Sequence, residues 1–178
     1  MKTNTIKVQE LQLEIDSIAN FDEVLDAYAQ THPNDTDKIP YFADIWPSAI
    51  ALANYLATHR HILADRNVIE LGCGLGLPAI VAAKCGAALV TATDFHPACI
   101  AYCNANAIKN GVPEIRCRTL DWRNPDIAET FNCIIGSDLL YEAPQVDALL
   151  HCIEQISTPD TRLILADPLR KHMQAAAD

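Results

Sequence analysis

The chain has 178 residues, half of them apolar, with 13 Lys plus Arg against 23 Asp plus Glu and a formal net charge of −10. This balance excludes intrinsic disorder and collagen-like structure and points to one compact domain, large enough to hold a core without a disulfide or metal staple. The acidic charge speaks against a nucleic-acid surface, which needs Lys and Arg gathered along one face, and fits either plain solubility or attraction to a basic peptide.

Seven cysteines, an odd number with no Cys-x-x-Cys pair, make no disulfide framework, and the start from Met1 to Lys7 opens no apolar leader, so a reduced compartment, cytoplasm or organelle matrix, is expected. Between Leu71 and Thr93 the only charged residue is Lys84, yet Gly72, Gly74, Gly76, Pro78 and Gly86 break the run, which reads as strand, turn, helix and strand rather than a membrane span.

In chain order, Ile6 and Val8, then Leu11, Leu13 and Ile15, recur at period two and predict short strands with a register break near Glu10. Asn20 and Glu23 form a capping pair ahead of a helix carrying Phe21, Val24, Leu25 and Tyr28. His32 to Pro40 reads as a polar loop, and a second helix starts at Pro47 and fades near Arg60. Residues 1–45 are thus read as strands and a helix packing on a core formed by 46–178. From Asn67 onward strands and helices alternate, the signature of a parallel sheet with crossover helices. Strands are predicted at 68–71, 89–93, 115–119, 133–136 and 163–166, and helices at 78–85, 97–110 and 144–156, two of them closed by Gly86 and Gly111.

The sharpest local signal is the run Val68-Ile69-Glu70-Leu71-Gly72-Cys73-Gly74-Leu75-Gly76-Leu77-Pro78, a strand entering a glycine turn that opens a helix. A dinucleotide turn would be Gly-x-Gly-x-x-Gly with a pyrophosphate at the helix N-terminus. Here the third glycine comes one residue early and Leu77 takes the dinucleotide position. The turn therefore fits a nucleoside carrying a sulfonium amino acid, S-adenosylmethionine, better than NAD, with Glu70 available through water for the ligand's ammonium. Asp94 ends the next strand, where its carboxylate can accept ribose hydroxyls, and Asp121, beside Trp122, ends the one after, where it either receives the adenine amino group or caps a turn.

With these residues in order, the sequence resembles the class I, seven-strand methyltransferases, and within them the family 16 lysine methyltransferase-like group, through Trp46-Pro47-Ser48-Ala49, the Glu70-to-Pro78 turn, Thr93-Asp94, Leu120-Asp121-Trp122, Ser137-Asp138-Leu139-Leu140-Tyr141 and Ala166-Asp167-Pro168. The resemblance implies a Rossmann-like doubly wound α/β sheet and S-adenosylmethionine as methyl donor. It implies cofactor contacts from Trp46, Glu70, Gly72, Cys73, Gly74, Gly76, Asp94, Phe95, Asp121, Trp122 and Ser137, with Asp138 and Tyr141 facing the transferred methyl. A sulfonium is already a potent donor, so the protein must desolvate a neutral amine and align it; Asp138 would orient the amine and Tyr141 wall its channel.

Other features carry less. His96, Cys99 and Cys103 lack a fourth zinc ligand, so no metal is expected. His59 and His61 sit near a helix end that favours cations, and Cys73 has no motif-assigned His or Asn to make it a nucleophile. The family's last two strands have no counterpart, since only ten residues follow Pro168; the chain reads as a truncated or naturally short form whose 169–178 tail makes at most a short helix. Its last strand, 163–166, would then be an open edge prone to self-association unless covered by the N-terminal strands. The expected function is N-methylation of a protein lysine, with a small-molecule amine as the alternative acceptor and a catalytically inactive cofactor-binding domain as the alternative class; no nucleic-acid or membrane partner is expected.

Overall fold

The computed structural model describes residues 1–31, 40–140 and 143–169. The polar loop before Pro40, the tail after Leu169, and Tyr141 lie outside the described residues. Strands β1 (Lys2–Val8) and β2 (Leu11–Ser17) form an antiparallel hairpin whose tight turn pairs Val8 with Leu11 and puts Gln9 in the left-handed region at φ 52°, which is the register break read near Glu10. Helix α1 (Phe21–Thr31) follows. Its start differs from a reciprocal capping box: the Asn20 amide donates directly to the Glu23 carboxylate at 2.8 Å, and the Asn20 carbonyl accepts the Val24 amide at 3.1 Å. Helix α2 (Pro47–Thr58) begins on a proline, whose missing N–H costs nothing in the first turn, and runs into a 3-10 turn at Arg60–Ile62.

The remaining elements are β3 (Asn67–Leu71), α3 (Leu77–Lys84), β4 (Leu89–Asp94), α4 (Pro97–Lys109), β5 (Arg116–Thr119), β6 (Cys133–Ser137), α5 (Ala143–Ile156) and β7 (Arg162–Ala166), each within a residue of its sequence-based bounds. The five strands pair in parallel in the order β5-β4-β3-β6-β7. Central β3 is buried on both faces from Val68 to Leu71, which explains its nearly unbroken apolar run. Side chains then alternate. Val68, Val90, Ala92, Cys133 and Ile135 face the layer holding α2, α3 and α4, while Ile69, Leu71 and Ile134 face α5 with Leu149, Cys152, Ile153 and Ile156.

The hairpin joins the first of these layers through Val8, Leu13 and Ile15, all fully buried. It packs on α2 and α4 and leaves the β7 edge alone; among the described residues nothing pairs with the outer side of β7, where Leu163 is exposed. No helix among the described residues is long and apolar enough to cross a membrane.

One buried polar side chain fastens the hairpin to the sheet's working end. From α4, the Asn106 amide oxygen accepts the Asp16 N–H at 2.8 Å, and its nitrogen donates to the Asp16 carbonyl at 3.2 Å and the Leu75 carbonyl at 3.0 Å. The Asp16 carboxylate also takes the Lys109 ammonium at 2.6 Å, which holds its pKa below the usual value. Asn106→Leu keeps the branched shape but strands three backbone groups, so it should cost about 2–3 kcal/mol in urea denaturation, more than an exposed change such as Ile108→Asn.

Candidate active site

The site is built where β3 meets α3. Gly72, Gly74 and Gly76 all take positive φ, at 62°, 51° and 85°, so the chain reverses within a few residues of the strand's end. Two of them are also required by space. A Cβ at Gly76 would meet the Cys103 sulfur at 2.6 Å, and one at Gly72 would meet Leu139 at 2.5 Å with Trp122 at 3.7 Å. At Gly74 an added Cβ would only touch the Phe42 Cα, at 4.0 Å, so here the positive φ rather than lack of space requires glycine.

Asp94, at the end of β4, holds the turn in place. Its carboxylate accepts the Gly74 N–H at 3.1 Å through one oxygen and the His96 N–H at 3.1 Å through the other. The Cys73 N–H donates to the Thr93 carbonyl at 2.8 Å, and the Thr93 hydroxyl donates to the Glu70 carbonyl at 2.7 Å. Glu70 lies under the turn at 0% exposure, one oxygen accepting the Ala79 N–H at 2.8 Å and the other without a partner among the described residues. Burial pushes its carboxyl well above the usual range, opposed by that amide and reinforced by the charge of Asp94.

Four thiols fill the space beneath. The Cys73 and Cys99 sulfurs are 3.9 Å apart, those of Cys103 and Cys117 3.5 Å, and Cys99 donates to the Gly74 carbonyl at 2.9 Å. Bonding to Cys103 pulls the Cys73 thiol down, but bonding to Cys99 and burial outweigh it and leave it well above its usual value, the wrong direction for a nucleophile. All seven cysteines are free. Among the described residues, the one trio with ligating atoms in mutual reach is Cys73, Asp94 and Cys99, not the His96, Cys99 and Cys103 set weighed and set aside on sequence. Its atoms already serve the turn through the bonds above.

On the β5 side, Phe95 is 41% exposed and lines a cleft of about 350 Å³ with Arg118, Thr119, Leu120, Asp121, Asn124 and Asp126. Asp121 is held by the Arg123 guanidinium, which keeps its carboxyl below the usual range. Trp122 faces the other way, into the α5 layer beside Gly72 and Leu139, with its indole N–H buried and without a partner among the described residues.

At the end of β6, past half-buried Ser137, Asp138 takes a left-handed φ of 59° and donates its N–H to the Ala166 carbonyl at 2.8 Å. Leu139 fixes this corner. Its two methyls fill the notches left by Gly72 and Gly136, where added Cβ atoms would lie 2.5 and 2.6 Å away.

Trp46 stands apart from this group. Its indole donates to the Tyr41 carbonyl at 2.7 Å and its ring packs edge-on against Phe21 and Tyr41. The residue that reaches the turn is Phe42, with its Cα above Gly74 and its ring 4.8 Å from the His96 ring. Sequence reading passed over Phe42, which follows a polar loop with no periodicity, and Arg123, which falls just outside the Leu120-Asp121-Trp122 motif.

The residues present suit S-adenosylmethionine: a glycine turn at a strand end, a carboxylate fixed at the end of the next strand, and an exposed aromatic beside a second carboxylate. Comparisons agree. Residues 34–176 match the lysine methyltransferase family. The chain is 36% identical over 111 residues to the histone-arginine methyltransferase METTL23 of Xenopus laevis, covering 60% of this chain and 47% of that protein. It is 30% identical over 136 residues to the electron transfer flavoprotein beta subunit lysine methyltransferase of Danio rerio, covering 76% and 52%. Its fold superimposes on the ribosomal protein L11 methylase of Lactobacillus delbrueckii subsp. bulgaricus with a TM-score of 0.52 and 28% identity, over 64% of this chain and 57% of that one. The chain spans about half the length of the curated relatives it matches first.

Burial of Glu70 sets a pH test. The folded chain keeps the proton above the unfolded value of about 4.3, so the stability present at low pH is lost as pH rises from there toward the folded pKa. Glu70→Gln cannot titrate, so its melting temperature relative to wild type should climb as pH is raised from 4 to 7; parallel curves would mean that burial does not shift Glu70. Taken with the parallel sheet in the order β5-β4-β3-β6-β7 and the match over most of its length, the chain belongs to the lysine methyltransferase family.

Proposed function

We propose that this chain transfers a methyl group from S-adenosylmethionine to a nitrogen of a protein side chain, with lysine as the acceptor. The observation that carries the reading is the Asp94 carboxylate, fixed by the Gly74 and His96 amides at the open end of the sheet beside exposed Phe95. A carboxylate has about four acceptor positions, and the two amides leave room for ribose hydroxyls. Phe95 and Leu120 offer an apolar slot for a purine, and Asp121 an acceptor for its amino group. Glu70 acts from below, holding α3 and the turn rather than reaching the ligand, since it is fully buried and bonded to Ala79.

When bound, S-adenosylmethionine supplies an electrophilic methyl on a sulfonium. The acceptor's side of the work falls to the end of β6. A lysine enters as an ammonium, with a pKa near 10.4, and must lose a proton before attack. Asp138 can bind that ammonium through its carboxylate and hold the nitrogen in line while burial lowers its pKa and water takes the proton. A left-handed, non-glycine residue held by Ala166 and by the Leu139 packing is strained backbone of the kind that persists where a side chain has to be aimed. Tyr141, beyond the described residues, completes the channel in this reading.

The relatives' names favour one further reading. METTL23 is named for arginine, and an arginine acceptor would need stronger deprotonation because a guanidinium holds its proton above pH 12.

Calorimetric titration with S-adenosylhomocysteine, in parallel with NAD, tests the cofactor, and micromolar binding of the first alone is expected. A radiolabelled-methyl assay on lysate protein, followed by hydrolysis, should give methyl-lysine; methyl-arginine would move the acceptor, and binding without any transfer would make this an inactive cofactor-binding domain. Asp138→Ala should abolish turnover with S-adenosylhomocysteine affinity within about three-fold of wild type, whereas full activity in that variant would remove Asp138 from the mechanism.

A further inference from the structure

Two residues that line the cleft, Phe95 and Asp121, are already engaged by another side chain of the protein, Arg123. The Asp121 carbonyl accepts the Asn124 N–H at 3.1 Å, and the Asp121 carboxylate accepts the Arg123 N–H at 3.0 Å, a tight turn that brings the Arg123 side chain back to Asp121 and Phe95. There the guanidinium carbon sits 4.9 Å from the centre of the Phe95 ring. The same group donates from Nε to both Asp121 carboxylate oxygens, at 2.9 and 3.2 Å, and from Nη2 to one of them at 2.9 Å.

A planar, delocalised group thus lies over an exposed aromatic ring and turns its N–H edge to a carboxylate. Those two features, a π face on Phe95 and N–H donation to Asp121, are what an adenine ring would present to the same residues. We propose that Arg123 is a placeholder for adenine: it occupies the purine subsite in the free protein and must swing away for the cofactor to bind. The inference rests on the reading of Phe95 and Asp121 as the adenine subsite, and adds that the subsite is contested by the chain itself.

Displacement needs no backbone change. Arg123 is exposed at the end of a long side chain, and its ion pair is half open to water. Rotation about side-chain bonds would clear the subsite, and the arriving purine would restore both the stack and the donation to Asp121. Apparent affinity is then the intrinsic affinity reduced by the fraction of molecules with Arg123 swung out. Two further consequences follow. The effect is confined to the purine end, so adenosine alone should feel it as fully as the whole cofactor. And since salt screens an exposed ion pair, the placeholder should weaken as ionic strength rises.

The test is titration calorimetry of wild type, Arg123→Ala and Arg123→Lys with S-adenosylhomocysteine and with adenosine, at low and high salt. Removing an exposed ion pair and a cation–π contact together predicts binding about three- to ten-fold tighter in Arg123→Ala, by a similar factor for both ligands. Arg123→Lys, which keeps the charge without the planar stack, should fall between. Wild-type affinity should rise with salt toward that of Arg123→Ala, whose own affinity stays level. Weaker binding by Arg123→Ala would mean that Arg123 closes over a bound purine instead, and unchanged binding that it lies outside the subsite; either result overturns the placeholder while leaving the cofactor reading intact. If neither wild type nor Arg123→Ala binds S-adenosylhomocysteine, with both still melting cooperatively, the cofactor reading fails and the placeholder with it.

Discussion

A carboxylate that accepts two backbone amides is pinned more firmly than one held by side chains, because the amides belong to elements that cannot move independently. Asp94 is such a group: it ties the glycine turn after β3 to the start of α4 through Gly74 and His96. The turn can meet it only because three residues take left-handed conformations that an ordinary side chain resists. Everything else at this end of the sheet is placed relative to that bond. Glu70 supports it from beneath through Ala79, and Asn106 reaches the adjoining Leu75 carbonyl and carries the constraint out to the N-terminal hairpin.

The small side chains under the turn belong to the same design. A Cβ at Gly76 would collide with Cys103, so α4 approaches the turn as closely as a glycine permits, and Cys73, Cys99 and Cys117 fill the rest. Larger residues would lift the turn away from Asp94. Burial keeps these thiols protonated, with Cys99 pushed up to about 12 once its lowering bond to Cys73 is outweighed by desolvation and the Asp94 charge. They therefore act as compact apolar filling that still satisfies a polar neighbour, as Cys99 does for the Gly74 carbonyl.

Much of this was legible in the residues. Strand and helix bounds followed from the alternation of apolar runs with Gly and Pro punctuation, because a sheet covered on both faces leaves little freedom in where such runs begin and end. The glycine turn and Asp94 followed from spacing, since only a short turn brings Gly74 within reach of a carboxylate on the neighbouring strand. What was not legible depends on side-chain direction. Nothing in Leu120-Asp121-Trp122 says that Asp121 turns toward Arg123 while Trp122 turns into the α5 layer. Phe42 was hidden for a different reason. Its position over Gly74 depends on how the segment before α2 crosses the sheet's open end, and no periodic pattern encodes that path.

In the proposed reading, donor and acceptor groups would come from different strands, as the strand order allows. The chain enters the sheet at β3, builds outward through β4 to β5, then returns to the other side of β3 with β6 and β7. At this reversal the loops leave in opposite directions and a crevice opens above the strand ends. The groups suited to the cofactor, the glycine turn, Asp94, Phe95 and Asp121, fall on the first side and around β3 itself. Asp138 falls on the second. Leu139 spans the gap, one methyl over Gly72 and the other over Gly136, so the corner carrying Asp138 is registered against the glycine turn. Methyl transfer is sensitive to distance and angle between donor and acceptor, and in the proposed reading one leucine seated in two glycine notches would help to hold both.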